Sequence, residues 1–271
     1  MGYSSDVDVQ FLVLDRGAGA QAGEIGIAVA TQIQRILNAP AAGTDLKVNA
    51  DLRPEGRAGL LARSLEAWCD YYRRDAQTWE KQALLRARPV VASEAVSGRL
   101  HEEMDRHRYP AGGLDESMRR EITRMKARVE SERLPRGADP SRHLKLGRGG
   151  MTDVEWSVQI TALDHAHEHP GLRTTGTMDA LSAAREAELI PERAARELSE
   201  AWTLAWQIRR SLFLWKGREG EVLPSDRNEL RALARLIDGD EGTAIELEER
   251  DLRLTRRARA IAEQIIFEAD D

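Results

Sequence analysis

The sequence predicts an α+β fold that is mostly α: a small α/β piece followed by a C-terminal helical bundle. Three observations carry this. The stretch "DVDVQFLVLD" from Asp6 alternates and then turns continuously apolar, as a strand entering a core does. A second strand-like stretch, "LKVNADLRP", follows one helix-like segment and is ended by Pro54. From Ser64 onward, amphipathic helical patterns succeed one another to the C-terminus.

Between the two strands, "RGAGAQAG" is turn-rich, and "EIGIAVATQIQRILN" sets Ile25, Val29, Ile33 and Ile36 or Leu37 at helical spacing before "AAGTD" closes the helix. Further helices are predicted across "SLEAWCDYYRRD", "TWEKQALLRAR", "DESMRREITRMKARVESERL", "DVEWSVQITALDHA" and "RTTGTMDALSAAREAEL". "PERAARELSEAWTLAWQIRRSLFLWK" opens on Pro191 and ends at Gly217, "SDRNELRALARLI" has Ser225 or Asp226 to cap it, and a last helix from about Thr243 turns Ile245, Leu252, Ile261 and Ile265 inward. The change of regime falls between Pro89 and Gly98, so the domains are drawn at 1–95 and 96–271. At 271 residues, each part is long enough to bury a core.

Composition narrows the function. The 40 basic and 46 acidic residues are interspersed and give a net charge of -6, which makes no case for a nucleic-acid binder. One cysteine, Cys69, excludes an internal disulfide framework and reads as a small core residue. No apolar run reaches the length of a membrane span and no signal peptide opens the chain, so a soluble, cytoplasmic protein is expected.

Asp6 and Asp8 are one residue apart on a strand and therefore share a face. Two carboxylates so placed repel, and a divalent cation between them removes the conflict. With an acid on the next strand, Asp51, they form a candidate site for Mg²⁺ and for transfer of a phosphoryl or nucleotidyl group. The plainer reading is a polar strand edge.

"GYSSDVDVQFLVLD", "ADLRPEGRAGLLARSLEAW", "WEKQALLRARPV", "LKLGRGGMTDVEWSVQ" and "AHEHPGLRTTGTMDAL" together resemble the glutamine synthetase adenylyltransferase family, and its C-terminal, adenylylating half most closely. The resemblance implies a partial nucleotidyltransferase domain ahead of the bundle. It implies transfer of AMP from ATP to a tyrosine of glutamine synthetase, with Mg²⁺ or Mn²⁺ as cofactor and a PII-type signal protein as a possible further partner. Asp6 and Asp8 match the metal ligands, Ser4 and Ser5 lie where the backbone runs close to the nucleotide, and Arg53 matches the arginine of the L-R-P motif. Arg53 either meets a phosphate or pins the strand end.

Two departures from the family pattern bear on activity. The glycine pair, helix and strand that precede the D-x-D strand in the family are not in this sequence, so the chain is expected to be a fragment with little activity alone. Position 49 carries Asn49 where an acid is expected, which leaves the third ligand open between Asn49 and Asp51.

In "GRGGMTDVEW" the glycines supply a permissive turn at a helix start, and Arg148, Asp153 and Glu155 are candidates for facing a cleft. His165 and His169 sit at the spacing of a zinc pair, but the flanking residues do not complete such a motif, and Trp202, Trp206, Trp215 and Phe213 read as core or inter-helix residues. The competing reading of the whole chain is a non-catalytic helical interaction or regulatory module.

Overall fold

The computed structural model describes residues 6–14, 17, 19–39 and 47–267. The chain divides into two compact units, 1–81 and 82–271, whereas the sequence pattern set the boundary at 95.

In the first unit the long apolar stretch is two strands, β1 (Val7–Asp8) and β2 (Phe11–Val13). Each takes its own parallel partner: β1 pairs with β3 (Val48–Asn49), and β2 with β4 (Ala62–Ser64). Gln10 occupies the change of partner. Its amide donates to Leu52 O at 2.7 Å and accepts from Trp68 Nε1 at 2.7 Å, satisfying groups that no ladder reaches there. Trp68 and Tyr72, on helix α2 (Leu65–Arg74), are buried with ring centroids 4.3 Å apart, and burial pushes the Tyr72 phenol up to about 12.

Helix α1 (Ala20–Leu37) packs on β2, β4 and β3 by its small-residue side. Ala30 is buried, and a Cβ on Gly26 would fall 2.3 Å from Val13 Cγ2. The aliphatic stripe that marks the helix in sequence is therefore not its packing face: Ile25, Val29, Ile33, Ile36 and Leu37 are all exposed. Beyond α1, Asn38 exchanges two hydrogen bonds with the Val48 backbone and so satisfies the outer edge of β3. Cys69 is buried, as a core residue should be.

Helix α3 (Thr78–Leu84) contains the division between the units. In the second unit, α4 (Glu94–Arg108) starts inside the Pro89–Gly98 boundary stretch and runs on through residues where the sequence pattern predicts no helix. Arg108, itself buried, anchors its end on the carbonyls of Leu84 and Ala87. The bundle proper comprises α5 (Glu116–Glu132), α6 (Met151–His165), α7 (Thr177–Glu186), α8 (Glu192–Lys216), α9 (Arg227–Asp238) and α10 (Ala244–Phe267). Its layout follows from which faces are apolar. Helix α6 is buried on most sides, and α10 packs against α8, α6 and α9.

The buried face of α10 is Ala244, Leu247, Asp251, Leu254, Ala258, Ala262 and Ile266. It is rotated from the predicted one: Ile245 is exposed, while Leu252, Ile261 and Ile265 lie on the flanks. The rotation brings Asp251 into the core, 3% exposed, and burial outweighs the nearby Arg142 and Arg250 guanidinium groups, pushing its carboxyl up to about 6. Trp202 and Trp206 pack against the core, while Trp215, at the end of α8, is half exposed.

Two stability predictions follow from these burials. Leu198→Ala in α8, at a side chain with no exposure, is expected to cost about 2–5 kcal/mol in urea unfolding, and Val29→Ala on the open face of α1 to stay within about 0.5 kcal/mol. Asp251 binds its proton more tightly when folded than at the usual 3.8, so its ionisation penalises the fold increasingly as pH rises from about 4 to 6 and uniformly above. Asp251→Asn is therefore expected to match the parent near pH 4 and to exceed it by up to about 3 kcal/mol at pH 7.

Candidate functional site

Asp6 precedes β1 and Asp8 ends it, and both side chains are exposed on the same strand face. In the parallel register Asp8 lies directly opposite Asn49. The Asn49 side-chain oxygen accepts from the Asp51 backbone N–H at 2.9 Å, a local turn that takes the chain out of β3 before residue 51. Asp51 is thereby placed in the turn and engages the Arg57 guanidinium, with Nε and a terminal nitrogen each 2.7 Å from Oδ2.

Among the described residues, no three His, Cys, Asp or Glu side chains come together as a metal-holding group. The predicted trio of Asp6, Asp8 and Asp51 is thus not assembled, because Asp51 is turned onto Arg57. What remains is two carboxylates with an amide across from one of them. Such a set suits Mg²⁺, which is commonly held by one or two carboxylates together with substrate phosphates.

Arg53 lies 3.8 Å from Asp51 Oδ1, and its guanidinium is spread over the carbonyls of its own turn. Its Nε donates to Gly59 O at 2.9 Å, one terminal nitrogen to Ala50 O at 2.8 Å and the other to Arg57 O at 3.1 Å. These bonds close "LRPEGRAG" into a tight turn around a short 3-10 segment, Gly56–Ala58. The turn is crowded enough that a Cβ on Gly59 would stand 2.0 Å from Pro54 O. Glu55, at positive φ, is held through its carboxylate by Arg63 and through its N–H by the Tyr71 hydroxyl.

A cavity of about 660 Å³ opens beside this turn, lined by Asp6, Asn49, Asp51 and the cations Lys47, Arg53 and Arg57, with Gln34 of α1 and Asn38 just beyond it. Sequence reasoning passed over Lys47 and Arg57. The available signal was the pairing of "ADL" with "EGR" six residues on, which reads as a surface charge pair until the turn is seen. Ser4 and Ser5 lie outside the described residues.

The second motif is a helix start built around a buried carboxylate. Gly149 has φ +73°, and a Cβ there would collide with Thr255 O of α10 at 1.8 Å, so only glycine fits. Asp153, 1% exposed, reaches back from the first turn of α6 to accept from the Gly149 N–H at 2.7 Å. It also pairs with the equally buried Lys126 of α5 and with Arg259 of α10. Glu130 completes the cluster at 2.9 Å from Lys126 and 2.7 Å from Arg259. Burial alone would raise the Glu130 carboxyl, but the hydrogen bonds from Arg259 and Lys126 prevail and hold it below the usual range. Asp153 is thus engaged by Gly149, Lys126 and Arg259 inside the core. Glu155 pairs with Arg86 at 3.4 Å, and Arg148 is exposed. His165 lies 3.7 Å from Asp164.

Residues 1–103 match the family model for glutamate-ammonia ligase adenylyltransferase, and residues 116–266 match the model for GlnD PII-uridylyltransferase. Both describe enzymes that transfer nucleotidyl groups. The chain belongs to the glutamate-ammonia ligase adenylyltransferase family. Similar relatives are the bifunctional glutamine synthetase adenylyltransferase/adenylyl-removing enzymes of Streptomyces coelicolor (47% identical), Streptomyces avermitilis (46%) and Nocardia farcinica (44%). The matches cover 98%, 99% and 98% of this chain and 27% of each relative, so the chain spans about a quarter of their length.

One prediction separates the structural reading of Asp153 from a ligand-binding one. Asp153→Ala leaves the buried Lys126 ammonium with Glu130 as its remaining carboxylate and frees the Gly149 N–H, and is expected to cost about 1–3 kcal/mol in urea unfolding. Lys126→Met in the same background is expected to recover a large part of that loss.

Proposed function

We propose that the first unit is the metal–nucleotide half of an adenylyltransferase that moves AMP from ATP to a tyrosine hydroxyl of glutamine synthetase. The observation that carries this reading is the exposed D-x-D face of β1 in a chain of this family. Asp6 and Asp8 would hold Mg²⁺ or Mn²⁺, which when bound neutralises the phosphate chain and stabilises the charge that develops on it. Lys47 and Arg57 of the adjoining cavity orient the same phosphates. In the transfer, the tyrosine oxygen bonds to the α-phosphorus, pyrophosphate departs, and the hydroxyl proton passes to a base. Asn49 cannot be that base, because an amide takes no proton near neutral pH. A cytoplasmic location and regulation through a PII-type signal protein belong to the same proposal.

Asn49 also favours the second reading, a non-catalytic module. With an amide opposite Asp8 and Asp51 held by Arg57, only two carboxylates are offered, and transfer by this chain alone is expected to be weak.

The test is calorimetric titration of ATP with Mg²⁺. Asp6→Asn/Asp8→Asn is expected to weaken metal-dependent binding by more than about tenfold, and Asn49→Asp to strengthen it and raise AMP transfer to glutamine synthetase. Equal metal-dependent binding by the parent and the double variant would sink the enzyme reading.

A further inference from the structure

Arg57 is the most exposed charged side chain of the turn, 85% accessible, yet it stands on the wall of a cavity and leans on one oxygen of one carboxylate. Its contacts to Asp51 converge on Oδ2, so the remaining donors of the guanidinium are uncommitted to that pair. An exposed pair of this kind is weak in water, and a phosphate that offers two oxygens to the planar fork can replace it. Arg53, by contrast, has committed its fork to Gly59, Ala50 and Arg57 backbone oxygens. One of those bonds fixes the carbonyl of Arg57 itself, so the turn is preorganised to present Arg57 while Arg53 is unavailable for a ligand.

We propose that Arg57 is an oxyanion-binding residue of this cavity and that Asp51 is its resident counter-ion, displaced when the phosphate chain of a nucleoside triphosphate enters. The proposal rests on the nucleotidyltransferase reading for the identity of the ligand. It removes Asp51 from the metal site and gives it the opposite role. Asp51 holds Arg57 in place when the cavity is empty and competes with the incoming anion. Lys47, on the same wall, adds positive charge at the approach. The cavity, at about 660 Å³, is of a size that takes a small-molecule ligand.

Without a cation any carboxylate of this cavity repels an anion, so the deciding readout is whether the effect of Asp51→Asn requires Arg57, and a gain that persists without Arg57 would overturn the proposal. Inorganic tripolyphosphate is titrated into the full chain at low salt with a chelator present, so that no divalent cation contributes. Arg57→Ala is expected to weaken binding by about tenfold or more, with Arg57→Lys between it and the parent because the charge remains and the fork is lost. Asp51→Asn is expected to tighten binding by about three- to tenfold, and this gain is expected to vanish in the Arg57→Ala background. The exposed position of Arg57 keeps the fold out of the comparison, and unchanged far-ultraviolet circular dichroism checks that.

No binding by the parent chain, no effect of Arg57→Ala, or weaker or unchanged binding by Asp51→Asn would each overturn the proposal. Failure here is separable from failure of the enzyme reading. That reading is judged on metal-dependent ATP binding through Asp6 and Asp8, and without a cation those two carboxylates only repel an anion.

Discussion

A strand offers a given face only every second side chain, and the site in the first unit depends on that constraint. It sets Asp6 and Asp8 on one face and, through the parallel register, sets Asn49 across from Asp8. An acid at residue 49 would complete a three-carboxylate set. An acid at 51 has the right parity, but the strand has already ended: the Asn49 side chain accepts from the Asp51 N–H and turns the backbone away. Parity alone therefore does not make Asp51 a substitute for an acid at 49. The length of β3 decides the matter, and at two residues it is too short.

Two arginines four residues apart then take opposite roles for reasons of burial. Arg53 is folded under the turn, where the carbonyls of Ala50, Arg57 and Gly59 have no strand or helix partner to satisfy them. A guanidinium, with donors fixed in a plane, serves several carbonyls at once, which a lysine cannot do. Arg57 is on top of the same turn and, among the described residues, its guanidinium pairs with Asp51. The bond from Arg53 thus fixes the backbone carbonyl of Arg57, while the Arg57 side chain stays exposed.

Much of this architecture is legible in the sequence, and the failures have physical causes. The helices from α2 to α10 announce themselves by periodicity, except α4, whose sequence "EAVSGRLHEEMDRHR" carries so few aliphatics that no stripe forms; Arg108, not an apolar face, anchors its end. Strand β4, "ARS", is too short and too polar to read as a strand, and β2 has no partner in sequence terms without it. In α1 the large aliphatics misdirect, since the helix approaches the sheet by Gly26 and Ala30, where closeness matters more than apolar area. Of the candidate site, the D-x-D face is legible and the fate of Asp51 is not, because Arg57 reaches it only after the turn has formed.

The buried ions of the second unit show why a motif can look functional from sequence and be structural in fact. Glycines followed by an acid in a helix's first turn describe an anion or nucleotide loop as well as they describe a cap. What distinguishes them is where the backbone goes. A Cβ on Gly149 would stand 1.8 Å from Thr255 O, so α10 lies directly against the turn. The Gly149 N–H is taken by Asp153, and the second charge demand of that carboxylate is met by Lys126 and Arg259 rather than by solvent. A carboxylate with its oxygens already engaged inside the core cannot also serve a substrate without leaving Lys126 less well paired there, and that cost is what fixes Asp153 to its structural role.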